Sequence, residues 1–280
     1  MSAKKEPDSG AQNNITPDVI TIDGQEIPFT EGQTIMDAAL AADIYIPHLC
    51  HRPGLSPHGS CKLCTVVIEG RHVAGSAQDR RSKASNSVNI DSRSVSACTT
   101  PAVAGQQISN NTPALNEVRK TITQMLFIEG NHLCPSCEKT GDCTLQAMGY
   151  HLGMLDGHFP QFFPRREVDA SHPSIVLDRD RCILCELCVR ASREVDGKNV
   201  FAISGRGIAA HLIVNSASGK LADSDLETAD MAAHICPVGA ILIKEHGYEV
   251  PIGRRTFDLH RVSEIGIEPL ILAKVRHTDE

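Results

Sequence analysis

The residues of this 280-residue chain whose types and spacing predict chemistry are its eleven cysteines and one neighbouring histidine, His132. The cysteines form three groups: Cys50, Cys61, Cys64 and Cys98; Cys134, Cys137 and Cys143; and Cys182, Cys185, Cys188 and Cys236. With His132 the donors number twelve, and three four-coordinate iron–sulfur centres need twelve ligands. The pattern therefore predicts a protein whose chemistry is electron transfer through three such centres.

The first group has the spacing C-x10-C-x2-C-x33-C. Plant-type ferredoxins use four thiolates in a related order, with a shorter first gap, so this group predicts a 2Fe–2S centre. Gly54 and Gly59 are predicted to let the backbone approach the inorganic sulfides. A structural zinc site is the alternative, because C-x2-C is also half of a zinc knuckle.

The second group, Cys134-Pro-Ser-Cys137-x5-Cys143, supplies only three thiolates. Its fourth ligand must be another residue type, and imidazole is a known iron–sulfur ligand. His132 is the nearest candidate, and His151 and His158 are the alternatives. A neutral imidazole in place of a thiolate leaves a 4Fe–4S cluster less negative and should raise its reduction potential.

The third group has the first three ligands of a bacterial two-cluster ferredoxin run and a remote Cys-Pro at Cys236. Ser192 stands where the run would supply a ligand to the other cluster. The matching positions before Cys236 are all apolar: Leu226, Ala229 and Ala232. This module is therefore predicted to keep one 4Fe–4S cluster and to fill the vacated site with apolar side chains.

The elements that must position these donors are short. Val19–Ile22 and Glu26–Phe29 flank Asp23-Gly24 as a predicted hairpin, and Thr34 is predicted to cap a helix. The remaining predicted strands are 65–70, 87–90, 174–177, 200–204 and 209–214, and the remaining predicted helices are 115–128, 144–154, 185–193 and 226–235. The helix over 115–128 is predicted to bury Val118, Ile122, Met125 and Leu126.

These elements predict an α+β fold with three cluster-binding modules. They are a β-grasp 2Fe–2S ferredoxin module, a small helical His/Cys cluster module, and a bacterial-ferredoxin-like 4Fe–4S module. The predicted divisions are a disordered tail at 1–17, the β-grasp domain at 18–112, the His/Cys domain at 113–172, the ferredoxin-like domain at 173–244 and a C-terminal docking extension at 245–280. The polar segment 71–97 is predicted to be a surface excursion.

Composition excludes other classes of protein. The net charge is −7 and no dense basic stripe occurs, which argues against nucleic-acid binding. No apolar run approaches the length of a transmembrane helix, and the N-terminus lacks the apolar run of a secretory signal. Clustered thiols that must stay reduced favour the cytoplasm.

The segments IYIPHLC, CKLC, FIEGNHLCPSCEKTGDCTLQAMGY, DRDRCILCELCVR, ICPVGAIL and VPIGRR carry a resemblance to a known family. The chain resembles the small iron–sulfur subunit of the diaphorase module of NAD-reducing nickel–iron hydrogenases. That subunit is similar to the N-terminal part of the large iron–sulfur subunit of respiratory complex I. In complex I the histidine precedes its first cysteine by four positions, whereas two positions separate His132 and Cys134 here.

The resemblance implies a relay of electrons between a flavin subunit that binds NAD and FMN and a hydrogenase module. The chain would belong to an oxidoreductase complex and would hold no catalytic residue itself. No G-x-G-x-x-G nucleotide-binding motif follows a predicted strand. The alternatives are an equivalent relay subunit of an NAD-linked formate dehydrogenase or iron-only hydrogenase and, in another class, a zinc-stapled scaffold.

Overall fold

The structure, a computed structural model, describes residues 18–70 and 92–265. All eleven cysteines lie within these ranges and none forms a disulfide bond. The predicted tail at 1–17, the predicted strand at 87–90 and the last 15 residues of the predicted docking extension lie outside the described residues.

The first module is a five-stranded sheet with one helix across it. Its elements are β1 (Asp18–Ile22), β2 (Gln25–Phe29), α1 (Ile35–Ala41), β3 (Thr65–Ile68), β4 (Arg93–Ser96) and β5 (Gln107–Ser109). The strand order is β2-β1-β5-β3-β4, and β1 runs parallel to β5 while the other pairs are antiparallel. This is the predicted β-grasp arrangement, with β4 at the end of the long segment before Cys98.

Local signals explain the start of this module. Asp23 and Gly24 both have positive φ, 50° and 85°, as a two-residue hairpin turn with the right twist requires. The Thr34 side chain accepts from the backbone N–H of Asp37, and the Asp37 carboxylate accepts from that of Thr34, which makes a capping box. Both predictions are confirmed.

The second module contains α2 (Pro113–Glu129), a 3₁₀ turn at Cys134–Ser136 and α3 (Thr144–His151). The predicted apolar face of α2 is partly wrong, because Val118 and Met125 are about half exposed, at 50% and 48%. Ile122 and Leu126 do pack on the core, but the fully buried side of α2 is partly polar and includes Arg119 and Thr123. Apolar periodicity missed this face because its polar groups are buried with hydrogen-bond partners. Arg119 donates to carbonyls of the first module, and Thr123 donates to the Arg119 carbonyl. The predicted helix 144–154 ends three residues early, at His151.

The third module combines a three-stranded sheet, a hairpin and short helices. In chain order its elements are β6 (Val168–Asp169), β7 (Ile175–Asp178), α4 (Leu187–Glu194), β8 (Phe201–Ser204), β9 (His211–Val214), α5 (Met231–His234) and β10 (Ile241–Ile243). The sheet order is β10-β7-β6, and β8 pairs with β9. The helix predicted over 226–235 is wrong for its first half, since α5 is one turn only. Leu226 is buried outside this helix, and its carbonyl accepts from the His172 side chain.

Two hydrophobic cores stabilise the molecule. One lies within the β-grasp module and includes Ile20, Met36, Cys64 and Cys98. The other runs through all three modules and includes Cys50, Cys143 and Cys185. Of the first group, Cys64 and Cys98 thus lie in the core of the β-grasp module, whereas Cys50 and Cys61 lie in the core that all three modules share.

A last helix, α6 (Thr256–Leu259), follows the third module and returns to the second. The backbone N–H of Phe257 donates to the carbonyl of Gly141, and that of Thr256 donates to the Asp142 carboxylate. Across the described ranges, no helix combines the length and apolar character that crossing a bilayer requires.

Candidate iron–sulfur centres

The four cysteines of the first group converge between two loops. Cys50 ends the segment after α1, Cys61 and Cys64 precede β3, and Cys98 follows β4. The Sγ atoms of Cys64 and Cys98 are 3.3 Å apart, and the Cys61 N–H donates to Cys50 Sγ at 3.5 Å. All four are 9% exposed or less. The fold therefore brings the predicted ligands of the 2Fe–2S centre together.

Hydrogen bonds among these thiols lower the pKa values of two of them and raise those of the other two. A hydrogen bond from Cys98 lowers the pKa of Cys64 to about 7. Hydrogen bonds from Cys61 and Cys98 lower the pKa of Cys50, while the pKa values of those two donors are raised. The thiols thus share protons, and iron, which binds thiolates, would displace those protons.

Left-handed backbone in the ligand loops occurs at the two predicted glycines and at three other residues. Gly54 and Gly59 do have positive φ, 85° and 71°, but a Cβ on Gly54 would meet open space and one on Gly59 would meet Thr99. The left-handed residues next to the ligands are Lys62, Leu184 and Glu186, with φ of 57°, 53° and 56°. Alternating left- and right-handed residues turn successive N–H groups toward one anion, which suits bound sulfide. Sequence reasoning looked for glycine and missed these three positions.

The second group lies in the loop from α2 to α3, where Cys143 is the residue before the first turn of α3. His132 enters this loop with its Nε2 atom buried and without a hydrogen-bond partner. Burial, with a smaller effect from the Arg181 charge, lowers the pKa of His132 to about 4, so the ring is neutral. A buried, neutral, unpartnered imidazole nitrogen is what a metal ligand presents when its metal is absent.

The other two candidate histidines lie elsewhere. The ring of His151 makes an edge contact with Tyr45 of the first module, with centroids 5.4 Å apart. His158 is exposed and makes an edge-to-face contact with Phe159, with ring centroids 4.8 Å apart. Neither shows the orphaned nitrogen found at His132, which supports His132 as the predicted ligand.

Two glycines make room for this second group. A Cβ on Gly130 would lie 2.6 Å from His132 Nε2 and 2.7 Å from the carbonyl oxygen of Asp180. A Cβ on Gly239 would lie 2.9 Å from Cys137 Sγ. Gly239 belongs to the third module in sequence, so its closeness to Cys137 could not be read from spacing.

The third group lines one small cavity. Cys182, Cys185, Cys188 and Cys236 all face it, and much of its wall is apolar, including Ile203, Leu212 and Val238. Burial raises the pKa of Cys182 to about 11 and raises those of Cys185 and Cys188 well above the ordinary value. Four thiols in an apolar cavity are stable as thiolates only beside compensating positive charge, which iron would supply.

The vacated cluster site is filled as predicted at two of its three apolar positions. Leu226 and Ala232 are buried, at 2% and 0% exposure. Ala229 is exposed, so the prediction is wrong there, because residues 226–230 leave the helical path that would turn it inward. Ser192 is fully buried and its Oγ accepts from the Val200 N–H at 2.7 Å.

Two arginines of the third module connect the three groups. Arg190 donates to the carbonyl oxygens of Cys50 and Cys185, one ligand each from the first and third groups. Arg181, next to Cys182, lies 3.7 Å from Cys137 Sγ and pairs with Glu138 at 2.7 Å. The third group is therefore linked to both of the others, although it comes last in the chain.

Within residues 18–70 and 92–265, no group of three or more His, Cys, Asp or Glu side chains has the geometry to hold a single metal ion. Family models decide which metal chemistry applies. A "2Fe-2S iron-sulfur cluster binding domain" matches residues 18–113, an "NADH-ubiquinone oxidoreductase-G iron-sulfur binding region" matches 119–158, and a "4Fe-4S single cluster domain" matches 175–243. The predicted fold class, with one 2Fe–2S and two 4Fe–4S type modules, is confirmed.

The gamma subunit of the NAD-reducing hydrogenase HoxS of Cupriavidus necator is 38% identical over 251 residues, which cover 89% of this chain and 97% of that subunit. This chain belongs to the family of NAD-reducing hydrogenase gamma subunits. The resemblance stated from the cysteine motifs is confirmed. A chain in the crystal structure of an NAD+-reducing [NiFe]-hydrogenase in the H2-reduced state agrees, with 46% identity, a TM-score of 0.79 and coverage of 90% of this chain and 97% of that one.

Longer relatives share the same region. The alpha subunit of the NADPH-Fe(3+) oxidoreductase of Geobacter sulfurreducens is 32% identical over 80% of this chain. The mitochondrial NADH dehydrogenase [ubiquinone] iron-sulfur protein 1 of Solanum tuberosum is 27% identical over 98% of it. This chain spans only 24% and 34% of those two proteins. The region shared with the gamma subunit is therefore also found within larger oxidoreductase subunits.

Proposed function

We propose that this chain is the electron-relay subunit of an NAD-reducing hydrogenase and holds one 2Fe–2S and two 4Fe–4S clusters. Cys50, Cys61, Cys64 and Cys98 would hold the first. His132 with Cys134, Cys137 and Cys143 would hold the second, and Cys182, Cys185, Cys188 and Cys236 the third. When bound, the clusters supply reversible one-electron transfer.

The observation that carries this proposal is the placement of the three donor groups around the third module. Arg190 holds the first and third groups together, and Arg181 and Gly239 bring the third group against Cys137. In a relay, each centre must lie close to the next. These contacts of the third group with both others support a relay order of first, third and second group.

The protein's part in the chemistry is to position donors and to exclude water. Cys64, Cys98 and Cys188 are buried in the two cores, at 0%, 0% and 8% exposure. Two cysteines in each of the other two groups are partly accessible, Cys134 and Cys137 in the second and Cys182 and Cys236 in the third.

Partners follow from the relatives rather than from this chain. The related complexes reduce NAD+ by name, so a flavin- and NAD-binding diaphorase subunit and the hydrogenase subunits are the proposed partners. We propose the cytoplasm as the location because eleven free thiols have to stay reduced until iron binds. The module divisions at 18–112, 113–172 and 173–244 are retained as part of this proposal.

The test is metal analysis and EPR of the full chain, purified anaerobically and separated from its partner subunits, whose own metal centres would add iron and signals. We expect about ten iron atoms and as many sulfides per chain, and three distinct signals on reduction. Zinc in place of iron, or a colourless protein, would overturn the proposal. Mass spectrometry of the intact complex distinguishes hydrogenase from formate dehydrogenase partners, and finding the latter would correct the partner assignment alone.

A further inference from the structure

Arg190 is a buried cation whose hydrogen-bond acceptors are all backbone carbonyls. It lies on α4 and is 3% exposed. Its guanidinium donates to the carbonyl oxygens of Ser56, Glu186, Cys50 and Cys185. Since these acceptors are neutral, the hydrogen bonds themselves do not neutralise its positive charge.

One nitrogen of Arg190 joins two ligand loops. Nη2 donates to the Cys50 carbonyl at 2.5 Å and to the Cys185 carbonyl at 3.2 Å. Cys50 and Cys185 are 135 positions apart in the chain, and belong to the first and third groups. Their backbones are therefore held at a distance that this single guanidinium determines.

Further contacts fix the same loop to the same helix. The Ser56 N–H donates to the Glu194 carboxylate at 2.8 Å, and His58 Nε2 lies 3.4 Å from a Glu186 carboxylate oxygen. The loop from Cys50 to His58 is thus attached along α4, with Arg190 as the buried contact and the carboxylates at the rim. Losing Arg190 would leave the rim contacts in place.

We propose that Arg190 is a positioning residue that fixes the separation of the first and third centres and raises the reduction potentials of both. This inference rests on the proposed function. A positive charge near an electron-accepting centre stabilises its reduced, more negative form, and the effect is strong where water is excluded. Because the guanidinium lies between two such centres, one residue acts on both.

The test is an EPR redox titration of the complex containing Arg190→Gln, with Arg193→Gln as the control. Arg193 is on the same helix, has the same charge and is more than half exposed, at 56% for its side chain. We expect Arg190→Gln to lower the potentials of the first and third centres and to leave the second nearly unchanged. Arg193→Gln should shift none of them appreciably, because water screens its charge.

Arg190→Lys separates charge from geometry. The ammonium keeps the charge but cannot donate to four carbonyls in the guanidinium's planar arrangement. We expect potentials close to those of the parent protein, with a weaker magnetic interaction between the first and third centres when both are reduced. If Arg190→Gln fails to assemble, this variant still carries the test, because an unchanged interaction would refute the positioning role.

Two outcomes would overturn the electrostatic part. One is iron loss from Arg190→Gln with unchanged potentials in the centres that remain, which would mean a purely structural role. The other is an equal shift in Arg193→Gln. Failure of the proposed function is distinguishable, since the parent protein would then lack the three signals before any substitution is made.

Discussion

At the scale of single residues, the assignment of His132 as a ligand depends most on the structure. Its buried Nε2 has no partner, whereas the cysteines beside it are already assigned by spacing. Sequence proximity nominated His132, and the orphaned nitrogen supports it. Spacing alone could not exclude His151 or His158, because a loop can return any nearby imidazole to the same site.

We predict that His132→Cys keeps the second cluster and lowers its reduction potential. The thiolate adds a negative charge that the neutral imidazole lacks, which disfavours the reduced form. Redox titration followed by EPR measures this shift, with His158→Cys as the control at an exposed position. An unchanged potential with full iron content would show that His132 is not a ligand.

A second residue-scale prediction concerns Gly239. Because its Cβ position lies 2.9 Å from Cys137 Sγ, Gly239→Ala should displace that thiol and reduce iron occupancy of the second cluster. Gly149→Ala is the matched control, since its added methyl would meet only ordinary contacts, the nearest at 3.5 Å. Iron and sulfide analysis with EPR of the second cluster would report the loss. Full occupancy in Gly239→Ala would contradict the close contact.

At the scale of elements, α2 is held to the first module by Arg119. This side chain is 1% exposed and makes five hydrogen bonds, to the carbonyls of Leu63, Thr65 and Asn110 and to the side chains of Asn110 and Asn116. Leu63 and Thr65 flank Cys64, a predicted ligand of the first centre. The helix thus positions the loop that carries a predicted ligand of another module's centre.

We predict that Arg119→Met destabilises the chain by about 3 kcal/mol or more, because it leaves several buried carbonyl and amide oxygens without donors. Lys120→Met removes the same charge from the neighbouring position of α2 and should cost far less. Denaturant unfolding of the two variants measures the difference. Equal stability would mean that water satisfies the acceptors that Arg119 leaves.

The same helix shows why part of the fold escapes sequence reasoning. Apolar periodicity predicted α2 to within two residues of each end, but it predicted Val118 and Met125 to be buried, and they are about half exposed. The buried face depends on Arg119, and an arginine reads as surface until its acceptors are known. By contrast, the hairpin at Asp23-Gly24 and the cap at Thr34 were predictable, because their determinants lie within four residues.

At the scale of the whole molecule, the three modules meet at a cavity of about 70 Å3. Its lining includes His48 of the first module, Thr144 of the second, and Leu187 and Cys236 of the third. Phe257 and Val262, from the segment after the third module, also contribute. The described part of the predicted C-terminal docking extension therefore packs on its own chain where the modules join.

We predict that removing the clusters loosens the shared core more than the β-grasp core. The third module is built around its four cysteines, and an empty cavity there destabilises the surrounding side chains. Amide hydrogen exchange of the metal-free chain should rise more in β8 and β9 than in β1 and β2. The iron-loaded chain is the control, and a uniform rise would show that the two cores are one cooperative unit.

The sequence by itself was enough to predict which side chains would bind the clusters and how they would divide among three centres, because ligand type and local spacing are written within each segment. It also determined the short-range turns and caps. Only the tertiary structure decided how the third group is linked to the other two and the roles of Arg190, Arg119 and Gly239. Those depend on contacts between residues far apart in the chain, such as Arg190 with Cys50, which no local periodicity encodes.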